Sequence, residues 1–124
     1  MKDSFEVFAN KCKKSMELDP FVKERCVVGY AEEMEDEVKE LREAIKNNDC
    51  KNIKEELGDV LLDWLHTAVL AEEKHGLSIR EVINDANEKL SRRKPYIEEN
   101  RKVTMEEALK IWQDVKKWEK GKAE

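Results

Sequence analysis

Glycine and proline are scarce in this chain, four and two among 124 residues. Both residues interrupt helices and build turns, so their scarcity argues against a turn-rich β architecture. Histidine occurs only twice, which argues against a His-rich metal site and leaves little material for a Ser-His-Asp arrangement. The three cysteines, Cys12, Cys26 and Cys50, are odd in number and lack C-x-x-C spacing. They point away from a disulfide framework or a zinc site, and toward reduced thiols in a cytoplasmic setting. No apolar run approaches the roughly 18 residues needed to cross a bilayer. No apolar block follows the charged start MKDSFEVFANK, so neither a membrane anchor nor a secretory signal is expected. Cations are outnumbered, with 24 Lys and Arg against 29 Asp and Glu and a net charge of -5. A nucleic-acid partner, which needs a basic face, is therefore not expected.

What is present suits helices. A 40% hydrophobic fraction is enough for one core, and 43% charged residues supply a solvated exterior. One domain over residues 1–124 is the expectation, with a charged tail from about residue 119. Five segments carry helical periodicity and end signals. The first runs from about residue 4 to 17, with Asp3 and Glu6 as a cap pair and Phe5, Phe8, Ala9, Cys12 and Met16 on one face. The second opens at Asp19-Pro20, an N-cap followed by proline at the first helical position, and continues to about Lys46. Its apolar stripe is Met34, Val38, Leu41 and Ile45. Asn47-Asn48-Asp49 breaks the chain and caps a third helix, which Gly76 stops after His75. Ser78 and Glu81 make a capping box for a fourth, with Ile79, Val82, Ile83, Ala86 and Leu90 inward and Pro95 as its stop. Thr104 and Glu107 make a second box for a fifth helix carrying Met105, Ala108, Leu109, Trp112 and Val115. The expected fold is an all-α bundle of about five helices.

The third helix differs from the rest. Its stretch VLLDWLHTAVLA, residues 60–71, is apolar nearly all the way round. At roughly 100° per residue, Leu57, Leu61, Trp64 and Ala68 share one side while Leu62, Leu65 and Val69 cover another. A helix apolar on so many sides is surrounded, and a short bundle seldom surrounds it alone. A homo-oligomer that completes the core, most simply a two-fold dimer, is the expectation; a merely central helix is the simpler alternative.

Charged side chains in and beside that stretch are where chemistry is to be sought. Glu56, Asp59 and Asp63 fall within roughly 60° of one another on one flank of the third helix, and Glu33, Glu37 and Glu40 share a matching flank of the second. If the two helices pack antiparallel through their stripes, carboxylate pairs face each other across the seam. Carboxylates without thiolates and with few histidines form a hard ligand set, better suited to Mg²⁺ or Mn²⁺ than to zinc or copper. Glutamate is abundant here, so E-x-x-E spacing also arises on ordinary solvated faces. Glu56 and Asp59 are the more telling pair, because they lead directly into the buried segment. His66 is read as a core or supporting residue. Lys89, Arg92, Arg93 and Lys94 make a positive spot suited to phosphate, or alternatively complement the negative end of a helix dipole. Asn87, one turn earlier, is a candidate reader of base or ribose. Trp64, Trp112, Trp118, Tyr96 and Phe21 are available for stacking, though such aromatics usually belong to cores. No Gly-rich phosphate loop occurs.

Taken in order, E-x-x-E at Glu37 and Glu40, fifteen intervening residues, then E-L-G-D from Glu56 to Asp59 followed by VLLD resembles the MazG-like nucleoside triphosphate pyrophosphohydrolases. So does K-L-S-R-R-K-P-Y, Lys89 to Tyr96, which is similar to that family's K-x-x-R-R-x-P segment. The resemblance covers roughly residues 25 to 97. It implies an all-α fold in dimers or tetramers, with Mg²⁺ (Mn²⁺ as a substitute) held by Glu37, Glu40, Glu56 and Asp59, and Asp63 as a candidate addition. It implies hydrolysis of an NTP or dNTP between the α and β phosphates to a monophosphate and pyrophosphate, as in nucleotide-pool house-cleaning. Lys89, Arg92 and Arg93 would bind phosphates, and one carboxylate would orient the attacking water. Three positions depart from the family's pattern. Cys26 opens CVVG where relatives commonly have C-P-W-D, Lys94 precedes the proline where histidine is frequent, and Asp63 replaces a neutral residue.

Rival readings remain. A phosphoribosyl-ATP pyrophosphohydrolase is a weaker fit, because its surrounding acidic-motif pattern is not reproduced, while a dimeric dUTPase-like enzyme shares the carboxylate logic. A di-iron bundle needs two Glu-x-x-His motifs, and only Glu72/His75 has that spacing. A helical dimerisation or regulatory module would leave the acidic flanks as plain surface.

Overall fold

The computed structural model describes residues 1–123. Among the described residues there are five α-helices and no strand: α1 (Lys2–Leu18), α2 (Pro20–Lys46), α3 (Cys50–His75), α4 (Ile79–Arg93) and α5 (Met105–Ala123), with a 3-10 turn at Pro95–Ile97. The all-α expectation is met.

Most helix ends follow from the residues that cap them. The Asp19 side chain accepts the Phe21 N–H at 3.0 Å ahead of α2, and Pro20 begins the helix without a donor to waste. The Asp49 side chain accepts the Asn52 N–H at 3.2 Å ahead of α3. Gly76 ends α3 in the left-handed region at φ 66°, where a side chain would be strained. Thr104 and Glu107 form the reciprocal box: Thr104 Oγ1 accepts the Glu107 N–H at 3.1 Å, and Glu107 Oε1 accepts the Thr104 N–H at 3.3 Å. The expected cap pair at Asp3 and Glu6 does not form. Helix α1 starts earlier, at Lys2, with Met1 at the cap and no side-chain cap bond. The charged end expected to fade from about residue 119 stays helical to Ala123; Glu124 lies outside the described residues.

The chain divides into two compact units, Met1–Ile79 and Arg80–Glu124. In the first, α2 and α3 form an antiparallel pair joined by the Asn47–Asp49 turn. Their partners run in opposite senses: Glu37 meets Glu56 and Asp59, Glu33 meets Asp63, Tyr30 stacks on His66, and Lys23 pairs with Glu73 at 3.6 Å. Helix α1 packs across this pair and buries Cys12. Val22, Tyr30 and Leu70 make the inner cluster, with Met16 and Val27 packed around it. Leu65 and Val69 are buried as well, and Leu65 is 1% exposed.

Two expectations about α2 need correction. Its contact face is not the Met34-Val38-Leu41-Ile45 stripe, because Val38 is 41% exposed and Ile45 53%. The face that meets α3 carries Tyr30, Glu33, Glu37 and Ala44, residues at the same three-and-four spacing rotated to one side. The acidic flank is thus part of the seam. The helix is also broken at Cys26, where φ 63° and ψ 177° depart from helical values. Nothing in the periodicity of residues 20–46 signals that break.

The second unit holds α4 and α5. The inward face expected for α4 is not covered: Ile83 and Leu90 are exposed, Ile79 and Val82 half-buried, and no residue of the helix is buried. Two helices have too little surface between them to enclose a core.

Candidate metal centre

Asp59 lies one turn beyond Glu56 on α3, and Glu37 projects toward both from α2. Carboxylate oxygens of Glu37, Glu56 and Asp59 lie within 4.8 Å of one another. A second group, Glu33, Glu37 and Asp63, converges to the same closeness. Glu40 lies next to Glu37 and acts on its ionisation, although neither group of three includes it. Of the four expected ligands, Glu37, Glu56 and Asp59 come together, with Glu40 beside them. Glu33, a member of the acidic flank outside the expected ligand set, stands one turn before Glu37, as Asp63 stands one turn after Asp59. Those two i,i+4 steps were the available signal.

The electrostatics show how crowded the negative charge is. A carboxyl hydrogen bond to Glu56, burial, and the neighbouring Glu40 together push the Glu37 carboxyl up to about 8. Burial first, then the charges of Glu33 and Asp59, raise Asp63 to about 6, with Arg25 opposing. Glu37 Oε2, Glu56 Oε2 and Asp63 Oδ2 are buried and meet no N–H or hydroxyl donor among the described residues. Oxygens placed this way call for a cation. The donor set is all carboxylate, which suits a hard divalent ion such as Mg²⁺ better than zinc or copper.

A basic and aromatic border flanks the acids. Arg25 ion-pairs with Glu33 and lies 5.3 Å over the Tyr30 ring. Tyr30 stacks on His66 with centroids 4.9 Å apart. His66 Nδ1 lies 3.2 Å from the Leu62 carbonyl and Nε2 3.3 Å from Ser15 Oγ, so the ring supports the seam and is no ligand. The di-iron rival finds no support, because the Glu72 carboxylate accepts the Ile79 N–H at 2.8 Å and both converging groups consist of carboxylates alone.

In the second unit the basic segment is occupied by a carboxylate of its own chain. Arg93 Nε donates to Glu119 Oε1 at 3.0 Å and Arg92 to Glu119 Oε2 at 3.3 Å. Trp118 lies under the Arg92 guanidinium at 6.0 Å and the Lys122 ammonium at 4.6 Å. Lys89, Arg92 and Arg93 line one open recess with these α5 residues. Asn87 is exposed on α4.

A family model described as the MazG nucleotide pyrophosphohydrolase domain matches residues 29–98, more than half of the chain. The chain is 38% identical over 106 residues to the uncharacterized protein YabN of Bacillus subtilis, covering 85% of this chain and 22% of that one. It is 41% identical over 87 residues to the nucleoside triphosphate pyrophosphohydrolase/pyrophosphatase MazG of Thermotoga maritima, covering 70% and 33%. It therefore spans a third or less of the length of these curated relatives. The crystal structure of a mazG-related protein from Thermotoga maritima superposes with a TM-score of 0.86 at 33% identity, over 90% of this chain and 98% of that one. On these grounds the chain belongs to the MazG nucleotide pyrophosphohydrolase family.

Proposed function

We propose that this protein hydrolyses nucleoside triphosphates, NTP or dNTP, between the α and β phosphates, releasing a monophosphate and pyrophosphate in a Mg²⁺-dependent reaction. The observation that carries the reading is the convergence of Glu37, Glu56 and Asp59 within 4.8 Å, with two of their oxygens buried and undonated. Glu37, Glu40, Glu56 and Asp59 would hold the ion, with Asp63 next to them. A bound Mg²⁺ supplies Lewis-acid polarisation of phosphate oxygens and a lowered pKa for water. The residues themselves set the stage. Crowding by Glu56 and Glu40, together with burial, favours the protonated form of Glu37 when no cation is near, and a bound cation would favour the ionised form. One of these carboxylates orients the attacking water. Water adds across the α–β bridging bond, which breaks to give the monophosphate and pyrophosphate. Lys89, Arg92 and Arg93 would neutralise phosphate charge, and Asn87 would contact the nucleoside.

We further propose that residues 1–124 act as one functional domain, as a homodimer or homotetramer, in the cytoplasm. Exposed apolar residues support self-association: Leu57 and Leu61 on α3, and Val38 and Ile45 on α2. The three free cysteines suit a reducing compartment, and no helix among the described residues is long and apolar enough to cross a membrane. The test is a nucleotide panel with Mg²⁺, detecting monophosphate, pyrophosphate and orthophosphate separately. Pyrophosphate release is expected; no turnover, or orthophosphate alone, overturns the proposal.

A further inference from the structure

The group Glu37, Glu56 and Asp59 accounts for the ion proposed above and leaves a second convergence unexplained. One turn further along both helices, carboxylate oxygens of Glu33, Glu37 and Asp63 also lie within 4.8 Å of one another. The antiparallel pairing is the reason: stepping back from Glu37 to Glu33 on α2 and forward from Asp59 to Asp63 on α3 moves in the same direction along the seam. Asp63 is 5% exposed, and its Oδ2 meets no N–H or hydroxyl donor among the described residues. A carboxylate removed from water in this way needs a positive partner. The nearby cation, Arg25, is engaged with Glu33 through its guanidinium, while a carboxylate oxygen of Asp63 lies within 4.8 Å of oxygens of Glu33 and Glu37. One guanidinium and one divalent ion leave Glu33, Glu37, Glu40, Glu56, Asp59 and Asp63 well short of neutral.

We propose that Glu33, Glu37 and Asp63 form a second site for a hard divalent cation, adjacent to the first and joined to it by Glu37 as the shared carboxylate. The proposal rests on the reading of the first site given above. Only oxygen ligands are offered, so the site takes Mg²⁺ or Mn²⁺. Paired ions in hydrolytic centres commonly sit about 3.5–4 Å apart, a separation that one bridging carboxylate spans.

The test uses the full chain and Mn²⁺ alone, without nucleotide, read by equilibrium dialysis and by electron paramagnetic resonance. Two ions per chain are expected, with a spin-coupled spectrum that reports their adjacency. Asp63→Asn should lower the count to one and abolish the coupling. Glu33→Gln, at a less buried position, should do the same and guards against misfolding of the first variant; circular dichroism verifies helix content in both. A single ion per chain, unchanged in both variants, overturns the second site and leaves the first standing. Two uncoupled ions that survive Asp63→Asn also overturn it. No bound Mn²⁺ at all overturns both readings.

Discussion

Arg93 on α4 donates its Nε–H to the Glu119 carboxylate on α5 at 3.0 Å. One of the arginines proposed to receive phosphate therefore already holds an anion, and Arg92 shares the same carboxylate. The two arginines keep the Glu119 pKa below the usual carboxylate range.

A nucleotide that uses these arginines must compete with that carboxylate. Glu119→Gln keeps the shape and removes the charge, so KM for the triphosphate should fall by about three- to fivefold, in line with the modest strength of accessible ion pairs. Steady-state kinetics over a substrate series checks this. A raised KM would mean that Glu119 positions the arginines and does not compete for them.

Metal-free protein should lose stability as pH rises from about 4.5 to about 8. The Glu37 carboxyl is raised to about 8 in the folded chain, so the folded state binds the proton more tightly than the unfolded state across that window. Its contribution is fully present below the unfolded pKa and is lost as pH climbs through the folded one. Asp63, raised to about 6, adds the same trend over a narrower range. Urea denaturation at several pH values, with and without Mg²⁺, measures it. Mg²⁺ should flatten the decline, because ionised carboxylates then have their counter-charge.

Glu56→Gln and Asp59→Asn should each abolish nucleotide turnover while leaving helix content nearly unchanged. Both residues are half-buried at the rim of the seam, and each substitution removes charge without opening a cavity. Paired activity and circular dichroism measurements decide it; retained turnover in both variants would refute the assignment of these ligands.

Leu65 is the most deeply buried side chain of the first unit. Leu65→Ala should cost about 2–5 kcal/mol, the range for truncating a well-packed core leucine. The shift in urea midpoint reads it, and a loss below about 1 kcal/mol would show that this interior collapses around the gap.

Cys26 occupies φ 63° and ψ 177°, a region that glycine enters freely and other residues enter at a cost of about 1–3 kcal/mol. The side chain is exposed, so little packing is lost on removing it. After the greater unfolded-state entropy of glycine, Cys26→Gly should stabilise the chain by about 1 kcal/mol. Denaturation under reducing conditions tests it; destabilisation would show that the thiol makes a contribution of its own.

Local chemistry decided a good deal before any packing was known. The caps at Asp19, Asp49 and Thr104 and the stop at Gly76 act within a few residues, so they are legible in the chain itself. The same holds for the alignment of Glu37 with Glu40 and of Glu56 with Asp59, since 3.6 residues per turn sets which side chains share a flank. The tertiary structure alone decided how α2 is rotated about its axis against α3. Periodicity relates residues within one helix and says nothing of the angle at which two helices meet. That rotation turned the acidic flank into the seam, left Val38 and Ile45 outside, and drew Glu33 and Asp63 alongside the expected ligands. The grip of Glu119 on Arg92 and Arg93, partners 27 and 26 residues apart, was settled in the same way, by helices meeting in space.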